Sequence, residues 1–369
     1  MLHHPSRSPS PMDIHIYVLI FMVLFDLNAV SGSSCPFNGN QWGAVSISDP
    51  VPPTTLAFHL QVAMNFTINA SFGNYSYPEQ GIAIFGGLKY LSRTANIWSI
   101  PTAYTNELWT FDVTVRTWLD QTPTSSTPPY QWPTARAGHA GGAISIDPTD
   151  PNKQALVIFG GRNGTDSILA DAWVFSFAHL VSIVNVTQII TQQAPSARWG
   201  AAATVLNNSL YLAGGFLSDG TSTVDVWVLS FQPISGAWQW LPLSGVLSPS
   251  TAVPPTLFSR GLFFLTPLSP RSLLLAGGWN SSNSFSSPFN DTWAFDTVSL
   301  SWQRLADMPL ALAGGSAFTY SPDQVSFYPC VVWGSTLGSN LSLSANTVSS
   351  PSNFILAYSG SSWEVYVFN

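Results

Sequence analysis

The sequence predicts an all-β protein built from repeated units of four short strands, and three observations carry that expectation. First, charged residues make up only 8% of the 369 positions while aromatics reach 13%, with 15 Trp, 27 Gly and 28 Pro. An average soluble protein is about 25% charged. Helices draw on Glu, Lys and Arg for their exposed faces, so this composition favours many short strands joined by turns. Second, an apolar run ending in a glycine pair recurs along the chain. Third, each pair is followed by an aromatic strand opened by Asp or Asn.

The glycine-pair strands run over residues 82–87, 156–161, 210–215 and 273–278, with a degenerate fifth at 330–335. The aromatic strands that follow start at Asn106, Asp171, Asp225 and Asn290 and lead to Trp109, Trp173, Trp227 and Trp293. A second Trp lies nine residues on at Trp118 and Trp302, is delayed to Trp238 in the third unit and is lost from the second. The fifth unit keeps the nine-residue interval as Phe354 to Trp363. A third signature lies between units: Pro133-Thr134-Ala135-Arg136-Ala137-Gly138-His139 aligns with Pro195-Ser196-Ala197-Arg198-Trp199-Gly200-Ala201. Residues 309–315 and 53–59 fit it loosely, and Ser259-Arg260-Gly261 is one residue short. Each unit thus reads as one strand after this motif, one ending in the glycine pair and one around each aromatic position. Four-stranded units repeated radially form a propeller, which limits exposed sheet edges.

This pattern resembles the kelch repeat, whose units carry a double glycine followed by Trp or Tyr and then Trp. The resemblance covers about residues 53–369 and implies a kelch-type β-propeller of the galactose-oxidase-like superfamily. Most kelch propellers have six or seven blades. Five repeats are recognisable here, and Trp42 reads as the last strand of a preceding blade, which leaves five or six blades open.

The N-terminus predicts secretion. Residues 1–31 read as a signal peptide with a polar extension, leaving 32–369 as the propeller. The apolar run from Ile16 to Phe25 is shorter than the roughly 20 residues that span a bilayer, and the small residues up to Ser31 suit cleavage. Because the leading segment is weakly basic, an uncleaved signal anchor is the alternative. Acceptor sequences for N-glycosylation occur at Asn65, Asn69, Asn74, Asn163, Asn185, Asn207, Asn280, Asn290 and Asn340. In an oxidising compartment the two cysteines, Cys35 and Cys330, read as one disulfide.

Function classes are narrowed by what the chain carries. A net charge of −7 with scattered Arg and two Lys argues against nucleic acid as a partner. The kelch-like folds include a copper radical oxidase and a sialic-acid mutarotase, but a copper site of that type needs two His, two Tyr and a Tyr-linked Cys. The mature chain offers His59, His139 and His179, two of them at one repeat position. Three Glu (Glu79, Glu107, Glu364) and turn-placed Asp make no acid–base constellation. No catalytic residue, metal site or cofactor is expected. Arg136, Arg198 and Arg260 recur at one repeat position. The resemblance implies that they face the mouth of the central channel, where they would hold an acidic ligand; bracing of the blades through carbonyl bonds is the alternative. The expected function is therefore a secreted, glycosylated binding or scaffold module for an extracellular protein or glycan. A secreted carbohydrate-active enzyme, mutarotase- or oxidase-like, is the alternative.

Overall fold

A computed structural model describes residues 56–57, 59–69, 76–90, 93–94, 97–98, 101–113, 116–124, 131–165, 167–179, 182–244, 257–281, 288–320, 327–332 and 354–367. The proposed signal segment, Cys35, Trp42, Asn74 and Asn340 lie outside these residues, as does the side chain of Asn69.

The described chain forms five antiparallel blades in a propeller arrangement, each built on four strands. Blade one holds β1 (Leu56–Ala57), β2 (Leu60–Asn69), β3 (Ser76–Tyr90), β6 (Pro101–Asp112) and β7 (Thr117–Asp120), with a small hairpin of β4 (Arg93–Thr94) and β5 (Ile97–Trp98) in one loop. Blade two is β8 (Ala140–Ser145), β9 (Gln154–Phe159), β10 (Ala172–His179) and β11 (Ser182–Ile189). Blade three is β12 (Arg198–Trp199), β13 (Ala202–Leu206), β14 (Ser209–Leu217), β15 (Ser222–Gln232) and β16 (Ala237–Ser244). Blade four is β17 (Phe264–Ser269), β18 (Ser272–Ala276), β19 (Thr292–Asp296) and β20 (Ser301–Arg304). Blade five is β21 (Ser316–Tyr320), β22 (Tyr328–Val332), β23 (Phe354–Tyr358) and β24 (Trp363–Val367). The strands β2, β8, β13, β17 and β21 touch one another in chain order, so they form the inner wall. This is the four-strand division that the repeats predict.

The strand sequences follow from the packing. A blade is covered on both faces by its neighbours, so its second strand reads as a continuous apolar run rather than an alternating one. Leu156, Val157, Ile158 and Phe159 of β9 are all fully buried. Each interface between blades is its own apolar core. Phe85 and Leu108 meet Ile158 and Phe175 between blades one and two. Phe159 and Ile144 meet Leu212 and Trp240 between two and three. Leu265 and Trp293 meet Val226 between three and four, and Phe264 meets Val331 and Leu356 between four and five. Truncating one such aromatic to Ala typically costs about 3–5 kcal/mol.

Cross-strand aromatic pairs fix the register of the outer hairpins. Phe111–Trp118, Phe231–Trp238, Phe295–Trp302 and Tyr358–Trp363 sit opposite one another, with ring centroids 4.9, 4.9, 4.8 and 5.3 Å apart. Blade two places Ile183 opposite Phe177, as expected for the unit without a second Trp. The delay to Trp238 arises inside β15, between Trp227 and Phe231, and not in the turn. In blade five the pairing corrects the sequence reading. Trp109, Trp173, Trp227 and Trp293 each pair with the residue two before the first glycine. The residue in that register in blade five is Ile355, opposite Val332. Phe354 is one position off, and the nine-residue interval there is a coincidence of spacing.

Candidate functional site

Each of the three repeated arginines lies just before an inner strand and reaches outward along its own blade, away from the axis. Arg136 donates from Nη1 and Nη2 to both carboxylate oxygens of Asp171, at 2.6 and 2.7 Å. Its remaining N–H groups go to the carbonyls of Thr134 and Gly160 and the Thr134 hydroxyl. Arg198 repeats the set on Asp225, Ser196 and Gly214. Arg260 does so on Asp291, Phe258 and Gly277, with its guanidinium 4.3 Å from the Phe289 ring centroid. All three guanidiniums are fully buried. The same aspartates accept from the indole nitrogens of Trp173, Trp227 and Trp293 at 2.6–2.7 Å. Burial alone would raise the Asp171 carboxyl, but the bonds and charge of Arg136, helped by Trp173, hold it below the usual range. These contacts are those of the bracing alternative for Arg136, Arg198 and Arg260. Arg136 and Arg198 commit all five N–H donors to their own blades, and Arg260 commits four, having no hydroxyl at Phe258 to match those of Thr134 and Ser196. The partners Asp171, Asp225 and Asp291, at the openings of the aromatic strands, are the other half of the device.

The glycine pair joins one blade to the next. The second glycine donates its N–H to the carbonyl at the arginine position of the following blade: Gly87 to Arg136, Gly161 to Arg198, Gly215 to Arg260 and Gly278 to Leu312, at 2.8–2.9 Å. At Gly160 φ is +66°, and a Cβ would stand 2.6 Å from the Arg198 carbonyl oxygen, so only glycine fits. Nearer the axis a second series of links runs from blade to blade. Gly200 donates to Gly138, Leu262 to Gly200 and Gly314 to Leu262, at 2.7, 2.6 and 2.8 Å. Leu262 holds φ +55° where its counterparts are glycine.

The two ends of the propeller differ. One end carries tight turns such as residues 207–208, 270–271 and 297–300. The other carries the glycine pairs and the long connections between second and third strands and between blades. On this loop face, between blades three and four, Phe258 is 54% exposed and stacks on Phe289 at 5.9 Å and 11°. Beside it lie the hydroxyls of Ser222, Ser259 and Ser281, in contact at 3.1 and 3.3 Å. Half-buried Trp199 and Leu262 pack with Phe216 and Trp279 nearby, and Arg162 lies over the Trp199 ring. An aromatic platform with adjacent hydroxyls is suited to an apolar side chain and a neighbouring backbone amide. Sequence reading missed Phe258 and Phe289 because their repeat positions contribute backbone carbonyls and carry no constant side chain: Thr134 and Ser196 stand at the first in other units, Thr105, Leu169 and Thr223 at the second.

His139 is buried edge-on to Phe85 at 5.4 Å. Burial, then the charges of Arg136 and His59, push it down to about 3, so it is neutral at physiological pH. Among the described residues no cluster of three His, Cys, Asp or Glu forms a metal site. Asn185, Asn207 and Asn290 are exposed, and Asn65 and Asn163 are half-buried. Asn280 is buried, and its Nδ2 donates to the Ser259 carbonyl at 2.8 Å. Cys330 is buried in β22 with its Sγ 3.3 Å from the Tyr328 carbonyl oxygen. No disulfide occurs among the described residues, and the expected partner, Cys35, lies outside them.

Glycine-pair latches, aspartate-bound indoles and paired outer aromatics on radial four-stranded sheets define a repeat propeller, a fold that suggests a protein-binding scaffold. The chain belongs to the kelch-repeat proteins: the family model of the KLHDC2/KLHL20/DRC7 Kelch-repeats domain matches residues 79–321, about two thirds of its length. No curated protein matches the chain.

Proposed function

We propose that the chain is a secreted, glycosylated kelch propeller that binds an extracellular protein through its loop face. The observation that carries the reading is the contrast between the ends: the loop face displays the stacked Phe258–Phe289 platform beside three serine hydroxyls, on blades whose buried arginines are each paired with an aspartate. An exposed aromatic on a rigid frame is the kind of anchor that dominates binding energy. With the arginines bound to aspartates, the ligand segment is apolar rather than acidic. Passage through the secretory pathway is supported by residues 1–31 and by the exposed acceptors, and a Cys35–Cys330 disulfide belongs to the same reading. Closing so long a loop contributes roughly 5 kcal/mol in the chain-entropy picture.

The test uses the full chain purified from the medium of a secretory host. Non-reducing peptide mapping is expected to find the Cys35–Cys330 link and a start near residue 32. Protein, peptide and glycan arrays then identify a ligand, and Phe258→Ala is expected to weaken its binding about tenfold or more without lowering Tm. Ile234→Ala, a fully exposed position on the tight-turn end, is expected to leave binding unchanged. Turnover of a free sugar, or binding indifferent to Phe258, overturns the proposal.

A further inference from the structure

Among the described residues, the outermost strand of every blade leaves one edge unpaired within its sheet, and such an edge is a template for pairing with another chain unless a charge, a proline or a bulge blunts it. Four of the five outer strands carry a charge or a proline: Asp120 in β7, Pro242 in β16, Arg304 in β20 and Glu364 in β24. The fifth, β11, is different. Its eight residues, Ser-Ile-Val-Asn-Val-Thr-Gln-Ile, contain neither. Val184 is 57% exposed, and Ile190, just past the strand, is 87% exposed. Irregularities at Val184 and at Ala178 of the paired strand interrupt the first part of β11, but Asn185 to Ile189 pairs regularly with Ser176 to Ala172 and ends the sheet among the described residues. High β-propensity, no charge and no proline are the marks of a sticky strand. In the middle of it stands Asn185-Val186-Thr187, with Asn185 and Thr187 exposed and Val186 buried.

We propose that an N-linked glycan on Asn185 is the guard of this edge, keeping two copies of the protein from joining through β11. The inference rests on the secretory reading above. In the transfer, the Asn185 Nδ2 forms a bond to the anomeric carbon of a lipid-linked oligosaccharide. The bond from that carbon to the lipid diphosphate breaks, the diphosphate leaves, and the amide gives up one proton. A bulky, hydrated chain on the outermost strand then does by volume what Asp120 or Arg304 does by charge.

The experiment uses the full chain secreted by a glycosylating host. Glycan occupancy is mapped by mass spectrometry after enzymatic release in heavy-oxygen water, and molar mass is followed by light scattering across a dilution series. Asn185 is expected to be occupied. Asn185→Gln and Thr187→Ala are each expected to move the monomer–dimer midpoint to about tenfold lower protein concentration or further. Thr187→Ser, which keeps the acceptor, is expected to behave as wild type. Adding Val184→Lys to Asn185→Gln is expected to restore the wild-type midpoint by charging the edge. An empty Asn185 beside glycans at Asn207 or Asn290 overturns this inference and leaves the secretory reading standing. An unmodified chain retaining residues 1–31 overturns the secretory reading itself. If Asn185 is occupied yet its loss changes no midpoint, or if Val184→Lys rescues nothing, the guard role is wrong.

Discussion

Blades two, three and four carry the arginine–aspartate–tryptophan brace, whereas blades one and five do without it. In blade one Leu56 stands at the arginine position, and Glu107 turns instead to Lys89 and the Trp109 indole. In blade five Leu312 replaces the arginine and is fully buried against Phe264, Met308 and Val331. Yet the latch from Gly278 to the Leu312 carbonyl is 2.8 Å, the same as the latches onto arginine carbonyls. The main-chain link between blades is therefore independent of the side chain beneath it. The ion pair serves another purpose: it ties the start of the inner strand to the start of the third strand and fixes the Trp between them.

That difference can be broken most forcefully at Arg198. Arg198→Ala strands a buried Asp225 carboxylate and is expected to cost about 3–5 kcal/mol in urea unfolding. Arg198→Leu combined with Asp225→Leu imitates the apolar arrangement of blade five and is expected to cost less than the single change, because no charge is left unpaired.

Acid separates the braced blades in a second way. His139 lies near 6.5 when unfolded and about 3 when folded. Between those values the unfolded chain binds the extra proton, so stability present above pH 6.5 declines on acidification by about 1.4 kcal/mol per pH unit. Asp171 is also held below its ordinary value. Its contribution is present above the unfolded carboxyl range and is lost as pH falls through the folded value. His139→Gln is expected to flatten the decline between pH 6.5 and 4 and to leave the steeper carboxylate limb below it, as followed by Tm against pH.

The smaller effects fall at the axis. Gly200→Ala forces a side chain into φ +63° with its Cβ 3.2 Å from Leu262 and Phe216, and is expected to cost about 1–2 kcal/mol in urea unfolding. Leu262→Gly relieves similar strain but gives up apolar contact with Phe216 and Trp279. The two terms oppose, and the net change in urea stability is expected to stay within about 1 kcal/mol.

The architecture was readable because its markers are imposed by the backbone: a glycine pair where a neighbouring carbonyl approaches, a Trp opposite a fixed ladder position. The ligand and bracing readings of the arginines both stayed open in the sequence for a different reason. Arg136 and Asp171, or Arg198 and Asp225, lie far apart in sequence, and each half has a plausible local explanation of its own. The clue was present within the chain, since Arg and Asp occur together in units two to four while unit one loses both, with Leu56 and Glu107 in their places. Phe354 misled because interval alone does not reveal a shifted register. Burial of Asn280 follows from the Gly261–Trp279 bridge, which sets it against the Ser259 carbonyl and which no local pattern records.

The links Gly138–Gly200–Leu262–Gly314 are made wholly of peptide groups. Their survival over evolutionary time therefore asks only that each blade keep its backbone path. Side chains are free to drift, as Leu262 shows by occupying a glycine position and Leu312 by occupying an arginine position. A lineage can thus rewrite the loops that meet a partner, or let one repeat decay beyond recognition, while the docking of blade on blade is inherited unchanged.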